Sequence, residues 1–200
     1  MATDIRLVTD KDAAAIVEIY RPFVESTPIS FEIEPPDELE IQRRIDGILP
    51  AYPWLVCEQG GRVAGYAYSS LHSARAAYQW SVDMSVYVHP DFRRRGIGRG
   101  LYVSLVQILR AQGFFNAYAG ISLPNPGSVG LHESIGFQAI GVYRNVGYKQ
   151  GAWHDVGWWE LALQPLPAEP RPPLSVGKIQ EDPSWAGMLA AGLACVRETA

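Results

Sequence analysis

Arginine and glycine dominate a short segment near the middle of the chain, residues 93–100, which reads Arg-Arg-Arg-Gly-Ile-Gly-Arg-Gly. Glycine allows the backbone to approach an anion closely because no Cβ is in the way. The apolar helix predicted from Leu101 would direct the free N–H groups of its first turn, and the positive end of its dipole, toward that anion. The guanidinium groups add donors that suit a diphosphate. The segment therefore predicts a binding turn for a diphosphate-bearing ligand.

Two common phosphate-binding motifs do not fit this turn. The dinucleotide fingerprint G-x-G-x-x-G needs an acidic residue about 20 positions later, whereas the spacing here is Gly96-x-Gly98-x-Gly100 and residues 116–120 contain no acid. A Walker loop needs Gly-Lys followed by Ser or Thr, which this segment lacks. An isolated Arg/Gly cluster is also typical of solvent-exposed loops, but the predicted strand 86–88 before it and the helix after it favour the binding turn.

Two titratable side chains are candidates for proton transfer. Asp83 lies on the predicted strand that leads to the turn and is out of step with Val82 and Met84, so it faces the other side of the sheet. Its carboxylate could take a proton from an amine, or it could be a solvated side chain or the partner of an arginine. His132, on a predicted short helix, could donate a proton or stabilise an oxyanion, or it could simply bind solvent. We give less weight to the other three histidines, which are His72, His89 and His154.

The elements that must position these residues follow the order β-α-α-β-β-β-α-β-α-β-β between Ile5 and Leu163, judged from the spacing of apolar residues. Beyond Gln164, five prolines within nine residues indicate a stiff extended segment, and the alanine-rich stretch 185–196 is weakly helical. We predict one domain over residues 1–164 and a Pro-rich C-terminal extension, 165–200, that is an appendage outside the domain. The sequence does not indicate whether this extension docks on the domain.

The overall composition narrows the class of protein. A formal net charge of −4 without a broad basic face argues against nucleic-acid binding. The two cysteines, Cys57 and Cys195, are far apart and lack metal-ligand spacing, which indicates a reducing compartment and no structural metal. No apolar run reaches the roughly 18 residues that a membrane-spanning helix needs. We expect a soluble cytoplasmic protein that binds neither nucleic acid nor membrane.

The arrangement R-x-x-G-x-G, opening a helix after a Val-x-Val strand, resembles the acyl-coenzyme A signature of the GNAT acetyltransferases. Residues 125–137 resemble a second motif of that family, in which Asn125 and Leu131 keep their places and His132 replaces a tyrosine. That replacement resembles the phosphinothricin and methionine-sulfoximine N-acetyltransferase branch. Further segments that resemble the same branch are 52–56, 74–80, 85–88 and 153–157. The resemblance extends over nearly all of residues 4–163.

This resemblance implies an α/β GNAT fold with a mixed, mostly antiparallel sheet of seven strands and four helices. Acetyl-coenzyme A would be the cosubstrate, without a metal, and the acceptor would be the amine of a small amino-acid analogue. Asp83 would be the base, where relatives are expected to have Glu, and His132 would be the acid or oxyanion stabiliser. Related enzymes are dimers, so a homodimer is expected.

The candidate binding residues lie in two groups. Coenzyme contacts are expected from the resemblance along the strand, the turn and the short helix, at Val86, Tyr87, Val88, Arg94, Arg95, Gly96, Ile97, Gly98, Arg99 and Asn125. On the acceptor side, the guanidinium of Arg75 would hold a carboxylate bidentately. Phe31, Tyr78 and Trp80 would form an apolar wall, although aromatic residues are also typical of a core.

Two alternatives remain open. The acceptor could be a protein amino terminus or a lysine, which would need an open groove for a peptide. The chain could also be an acyl-coenzyme A-binding regulator without turnover, in which replacing Asp83 and His132 would leave coenzyme binding intact and change no catalytic rate.

Overall fold

A computed structural model describes residues 3–197 of the chain. The strands in that range are β1 (Thr3–Leu7), β2 (Trp54–Gln59), β3 (Arg62–Leu71), β4 (Ser81–Val88), β5 (Asn116–Leu123), β6 (Gln138–Lys149) and β7 (Ala152–Ala162). The α-helices are α1 (Ala13–Ser26), α2 (Glu38–Ile48), α3 (Ile97–Gln112), α4 (Pro126–Ile135), α5 (Val176–Gln180) and α6 (Trp185–Leu193). This confirms the predicted element order through residue 163.

The strands of the described range form one mixed sheet, in the spatial order β1-β2-β3-β4-β5-β7-β6. Within residues 3–197, β4 and β5 are the parallel pair, and the other neighbours are antiparallel. The predicted α/β architecture, with a seven-stranded and mostly antiparallel sheet, is therefore confirmed. The four helices predicted within the domain are α1 to α4.

The two faces of β4 meet different helices. Val82 and Met84 are buried with the apolar side of α3, including Leu105. Tyr87 instead packs edge-on against Tyr20 of α1, with ring centroids 4.9 Å apart. Because side chains alternate along a strand, Asp83 shares the α1 face with Tyr87. This confirms the predicted orientation of Asp83, away from Val82 and Met84.

The contact between β4 and β5 is short. Their pairing covers Ser81–Asp83 against Asn116–Tyr118. Beyond Asp83, β4 stays paired with β3 as far as Val88, and β5 stays paired with β7 as far as Leu123. The two strands therefore diverge, and backbone groups on the facing edges of both strands are left without a strand partner within the described residues.

The helix that follows the Arg/Gly turn is held between two glycines. Gly96 precedes α3 with φ of 81°, and Gly113 ends it with φ of 93°. Both values lie in the left-handed region that glycine adopts without a Cβ penalty. Leu101, Leu105 and Leu109 are fully buried on one side of the helix, so α3 is fixed against the sheet and its first turn faces the diverging strands.

The C-terminal extension packs on the domain. Ile179 of α5 and Met188 of α6 are buried in the same core as α3, and Val176 is also buried. A Cβ added at Gly192 would overlap the carbonyl oxygen of Gly100, so α6 crosses α3 at backbone contact. The sequence does not determine whether the extension docks, because the proline pattern indicates an extended segment but not where the following helices pack, and the structure packs α5 and α6 on the domain. The boundary near residue 164 stays a prediction.

Two further features bear on the class of protein. Among residues 3–197, no helix is both long enough and apolar enough to cross a membrane. The same residues contain no group of three or more His, Cys, Asp or Glu side chains that could hold a metal ion. Cys57 is buried and Cys195 is half-buried, and both are free thiols.

Candidate active site

A trough follows the gap between β4 and β5. Two cavities, of about 420 and 340 Å³, meet along Val88, Arg93 and Arg94. A third cavity, of about 60 Å³, continues from Val86 to His132. The three together connect the Arg/Gly turn at the surface with the interior of the sheet.

The surface end of the trough has the shape of an anion site. The residues around the turn adopt unusual backbone conformations, with φ of 61° at Arg94 and 81° at Gly96. The N–H groups of the first helical turn lack partners inside the helix, and Gly96 has no side chain that could cap them. A Cβ added at Gly98 would lie 3.1 Å from the Leu131 side chain and 3.5 Å from that of Val88. Glycine at position 98 thus keeps the trough open where α3 begins.

The arginines of the turn point in different directions. Arg94 lines both larger cavities. Arg99 lines one of them and donates to the backbone oxygen of Ser134 at 3.0 Å. Arg95 instead donates to Gln59 Oε1 at 3.1 Å and to the Asp91 carbonyl at 2.9 Å. The structure therefore directs the Arg95 side chain away from the trough, which a run of three identical residues could not reveal.

Asn125 joins the trough to α4. Its Oδ1 accepts from the backbone N–H of Ser128 at 3.1 Å and so caps the helix. The residue lines two of the three cavities, as do Val86 and Tyr87. The predicted coenzyme residues on β4, on the turn and on α4 are therefore brought together, with the exception of the Arg95 side chain.

Asp83 has a partner that the sequence analysis gave little weight. His72 Nδ1 lies 2.6 Å from Asp83 Oδ1, because β3 pairs with β4 and His72 directly follows β3. Burial raises the pKa of Asp83, and the hydrogen bond from His72 acts against that rise. The imidazole stacks on Tyr118, with ring centroids 4.4 Å apart. Only the register of two strands places His72 here, so residue spacing along the chain gave no signal for it.

His132 lies on the other side of the sheet and is buried. Its Nδ1 is 2.8 Å from the Ser128 carbonyl oxygen, and its Nε2 is 3.0 Å from the Tyr102 hydroxyl. A carbonyl can only accept, so Nδ1 carries the proton and Nε2 accepts from Tyr102. Burial lowers the pKa of His132 and keeps the ring neutral. Tyr102, which sequence analysis missed within an apolar helix, shares the small cavity with His132.

Comparison with known proteins identifies the family. Residues 5–158 match the family model described as an acetyltransferase (GNAT) domain. The chain belongs to the GNAT acetyltransferases. Phosphinothricin N-acetyltransferase of Streptomyces viridochromogenes is 43% identical over 176 residues, which cover 88% of this chain and 96% of that protein. The L-methionine sulfoximine/L-methionine sulfone acetyltransferase of Pseudomonas paraeruginosa is 33% identical over 172 residues, covering 85% and 100%.

A solved structure agrees with this assignment. The GNAT superfamily phosphinothricin acetyltransferase from Sinorhizobium meliloti, in complex with acetyl-coenzyme A, is 35% identical with a TM-score of 0.77. The likeness covers 81% of this chain and 89% of that one. The predicted GNAT fold and the resemblance to this branch are confirmed, and the chain is an N-acetyltransferase.

The predicted acceptor residues of this GNAT protein are only partly brought together. Tyr78 lies beside His72, with ring centroids 5.8 Å apart, and Arg75 is exposed at the start of the same turn. Phe31 lies apart from these two residues, and its ring packs against Gly147 in the β6–β7 hairpin.

Trp80 does not join an apolar wall with these side chains. Its Nε1 donates to the Arg171 carbonyl in the Pro-rich segment at 2.8 Å, and β4 begins one residue later, at Ser81. Because the Trp80 ring is bonded to the Pro-rich segment, the prediction that it forms an apolar wall of the acceptor site is corrected.

Proposed function

We propose that this GNAT enzyme transfers an acetyl group from acetyl-coenzyme A to the amine of a small amino-acid analogue of the phosphinothricin or methionine sulfoximine/sulfone type. The observation that carries the proposal is the continuous trough, which leads from the Arg/Gly turn along the unpaired edge of β4. Its inner end lies beside the strand position of Asp83. The names of the similar enzymes support the acceptor class.

The residues of the trough suit a diphosphate followed by a long amide-bearing arm. The free N–H groups at the start of α3, together with Arg94 and Arg99, would bind the diphosphate. The open edge at Val86 and Val88 offers N–H and C=O groups to the two amides of a pantetheine arm, as a neighbouring strand would. The Asn125 side chain borders the same path. A strand N–H would polarise the thioester carbonyl, an effect that can reach about 2.7–4 kcal/mol.

Proton transfer would take place on both faces of the sheet. The amine must lose a proton before it attacks the thioester, and Asp83 is the carboxylate on the α1 face, with a pKa that burial raises toward the working range. Across the sheet, His132 lines the small cavity together with Tyr102. The only proton of the neutral His132 ring is given to Ser128, and the Tyr102 hydroxyl donates its single proton to His132 Nε2. We therefore propose that the pair stabilises the oxyanion or the leaving thiolate when the Tyr102 hydroxyl turns its hydrogen bond from His132 Nε2 to that anion.

The acceptor would bind on the Asp83 side. Arg75 is exposed and free to pair bidentately with a carboxylate, and Tyr78 lies against His72. Phe31, 38% exposed, lies apart from these two residues near the β6–β7 hairpin, and its role at the acceptor stays a prediction. A homodimer and a cytoplasmic location belong to the same proposal.

The test is a thiol-release assay on the purified protein. Phosphinothricin, methionine sulfoximine, methionine sulfone and the free amino acids are compared with a peptide that has a free amino terminus. Turnover of the analogues supports the proposal, and turnover of the peptide alone would favour a protein acceptor. Heat on titration with acetyl-coenzyme A, but no turnover of any amine, would indicate a regulator.

A pair of variants locates the chemistry. Asp83→Asn should lower kcat about 10²–10⁴-fold while calorimetry shows the same affinity for acetyl-coenzyme A. The matched control is Asp91→Asn, an exposed carboxylate outside the trough, which should keep the wild-type kcat. Equal rates in the two variants would contradict a role for the Asp83 carboxylate.

A further inference from the structure

The imidazole of His72 is the group nearest to Asp83 and has a free nitrogen. Its Nδ1 is 2.6 Å from Asp83 Oδ1. An ionised carboxylate can only accept, so Nδ1 carries the proton and Nε2 keeps its lone pair. Within the described residues, His72 Nε2 has no hydrogen-bond partner. This is the arrangement in which a carboxylate fixes the tautomer of a histidine that acts as a base.

The ring is held in place by aromatic neighbours from three elements. Tyr118 of β5 stacks on it at 4.4 Å, and Trp158 of β7 meets it edge-on at 6.4 Å. Tyr78, from the turn before β4, lies at 5.8 Å. A ring that is packed on several sides keeps one orientation, so its free nitrogen has a fixed direction.

The pair is accessible to a ligand and adjacent to the trough. The side chains of His72 and Asp83 are 23% and 31% exposed. Ser85, the next residue on the same face of β4, lines the innermost cavity and lies about 7 Å along the strand from Asp83. An acceptor amine above the pair would therefore lie close to a thioester at the inner end of the trough.

We propose that His72 Nε2 is the base that takes the proton of the acceptor amine, and that Asp83 positions His72 and stabilises the imidazolium. The ammonium gives one proton to Nε2, and the freed lone pair forms the C–N bond at the thioester carbonyl. The C–S bond then breaks, and its electron pair leaves on the thiolate. The thiolate takes the second nitrogen-bound proton, and Nε2 returns the first one to solvent. This inference rests on the proposed acetyl transfer and moves the role of base from Asp83 to its hydrogen-bonded partner His72.

The charged and titratable groups around His72 are few. They are Asp83 on β4, Tyr118 on β5 with Glu160 opposite it on β7, and Arg75 and Tyr78 on the turn. Asp83 is the one hydrogen-bonded to His72. A small added amine can replace a missing imidazole as the proton acceptor, but it cannot replace the carboxylate that orients the imidazole. Rescue by added imidazole therefore distinguishes a histidine base from a carboxylate base.

The experiment compares His72→Gln, His72→Phe and His72→Ala with Asp83→Asn at saturating acetyl-coenzyme A. Glutamine can still donate to Asp83 and phenylalanine can still stack, so at least one variant should keep the fold. We expect kcat to fall about 10²–10⁴-fold in each His72 variant, with unchanged coenzyme affinity by calorimetry. Added imidazole should restore turnover in His72→Ala but not in Asp83→Asn.

Two outcomes overturn different statements. If His72→Gln keeps the wild-type kcat while Asp83→Asn loses turnover, Asp83 is the base and the role of His72 is wrong. If the wild-type protein turns over no amine at all, the proposed function fails and the role of His72 fails with it.

Discussion

Two polar pairs lie on opposite faces of the sheet, Asp83–His72 on the α1 face and Tyr102–His132 on the α3 face. His72 has one ring nitrogen hydrogen-bonded, to Asp83, whereas both ring nitrogens of His132 are hydrogen-bonded, to Ser128 and Tyr102. The first pair is partly exposed, whereas the second is buried. Exposure suits a group that must exchange a proton with an incoming amine. Burial suits a hydrogen-bond donor that acts where water is excluded.

Removing the Tyr102 hydroxyl tests the buried pair. Tyr102→Phe leaves His132 Nε2 buried without a donor, which should lower the free energy of unfolding by about 1–3 kcal/mol. We also expect kcat to fall at least tenfold, a change of about 1.4 kcal/mol in the activation free energy, while the coenzyme affinity is unchanged. Urea denaturation and steady-state kinetics measure the two effects.

The matched control for this variant is Tyr52→Phe. The Tyr52 ring is stacked on Phe114, outside the trough, and within residues 3–197 its hydroxyl forms no hydrogen bond. Tyr52→Phe should keep both the stability and the kcat of the wild type. A Tyr102→Phe protein that is less stable but has the wild-type kcat would restrict the hydroxyl to a structural role.

The ionisation of Asp12 makes the free energy of unfolding depend on pH. It accepts hydrogen bonds from Arg6 Nη1 at 2.8 Å and from the Thr9 backbone at 2.7 Å. Burial would raise the pKa of Asp12, but these partners together hold it below its usual value. A lowered pKa in the folded state stabilises the protein above the unfolded pKa of about 3.9. That stabilisation is lost as the pH falls through the folded value.

We therefore expect Asp12→Asn to lower the free energy of unfolding at pH 7 by about 2 kcal/mol. Its stability should also depend less on pH below 5 than that of the wild type. Urea denaturation at several pH values measures both effects. The exposed neighbour Asp10 supplies the control Asp10→Asn, and an equal loss in both variants would contradict the assignment to Asp12.

At the scale of elements, local sequence patterns predicted the strands, the helices and the faces of their side chains. They did not predict which residues from distant elements lie in contact. The alternation around Val82 and Met84 predicted the face on which Asp83 lies, because strand geometry fixes it. The glycine spacing at 96 and 98 predicted the turn, because the turn needs a positive φ at Gly96 and no Cβ at Gly98. The direction of Arg95 and the proximity of His72 to Asp83 depend on how separate segments pack, which neither residue type nor spacing encodes.

The C-terminal extension is the clearest example of such a contact. The backbone N–H of Arg197 donates to the Arg95 carbonyl at 2.9 Å, and Gln59 Nε2 donates to the Arg197 carbonyl at 3.2 Å. The segment after α6 is thus bonded to the turn that precedes α3. We therefore infer that the packing of α6 on α3 helps to hold the Arg/Gly turn in position.

Two glycines of α6 provide a matched test of this dependence. A Cβ at Gly192 would overlap Gly100 on α3, whereas a Cβ at Gly187 meets nothing within 4 Å. Gly192→Ala should displace α6 and so weaken its contact with the Arg/Gly turn. The Kd for acetyl-coenzyme A should then rise about tenfold, or about 1.4 kcal/mol. Gly187→Ala should leave the Kd unchanged. If calorimetry gives the same Kd for both variants, the extension does not position the turn.

At the scale of the whole molecule, the β6–β7 hairpin presents an apolar surface. Its exposed large side chains are Ile140, Val142, Tyr143, Val146, Tyr148 and Trp153. Tyr148 and Trp153 pack against each other, with ring centroids 5.3 Å apart, and Trp153 is still 62% exposed. Several exposed apolar side chains on one hairpin favour an interaction surface, which supports the proposed homodimer.

Trp153→Asp should convert the protein from dimer to monomer, because a carboxylate would be buried in the interface without a partner. Sedimentation velocity at micromolar concentration measures the change. Leu166→Asp is the control, since Leu166 is 74% exposed in the Pro-rich segment away from the hairpin. A wild-type protein that sediments as a monomer would contradict the dimer.

The short pairing of β4 with β5 has a mechanical consequence. The sheet consists of two halves, β1–β4 and β5–β7, whose strands share three residue pairs. A junction this short is the most compliant part of the sheet, and a pantetheine arm lying in the gap would stiffen it by lengthening the bonded edge. We therefore expect the loaded protein to exchange the amide hydrogens of β5 more slowly, including those that no ligand atom reaches.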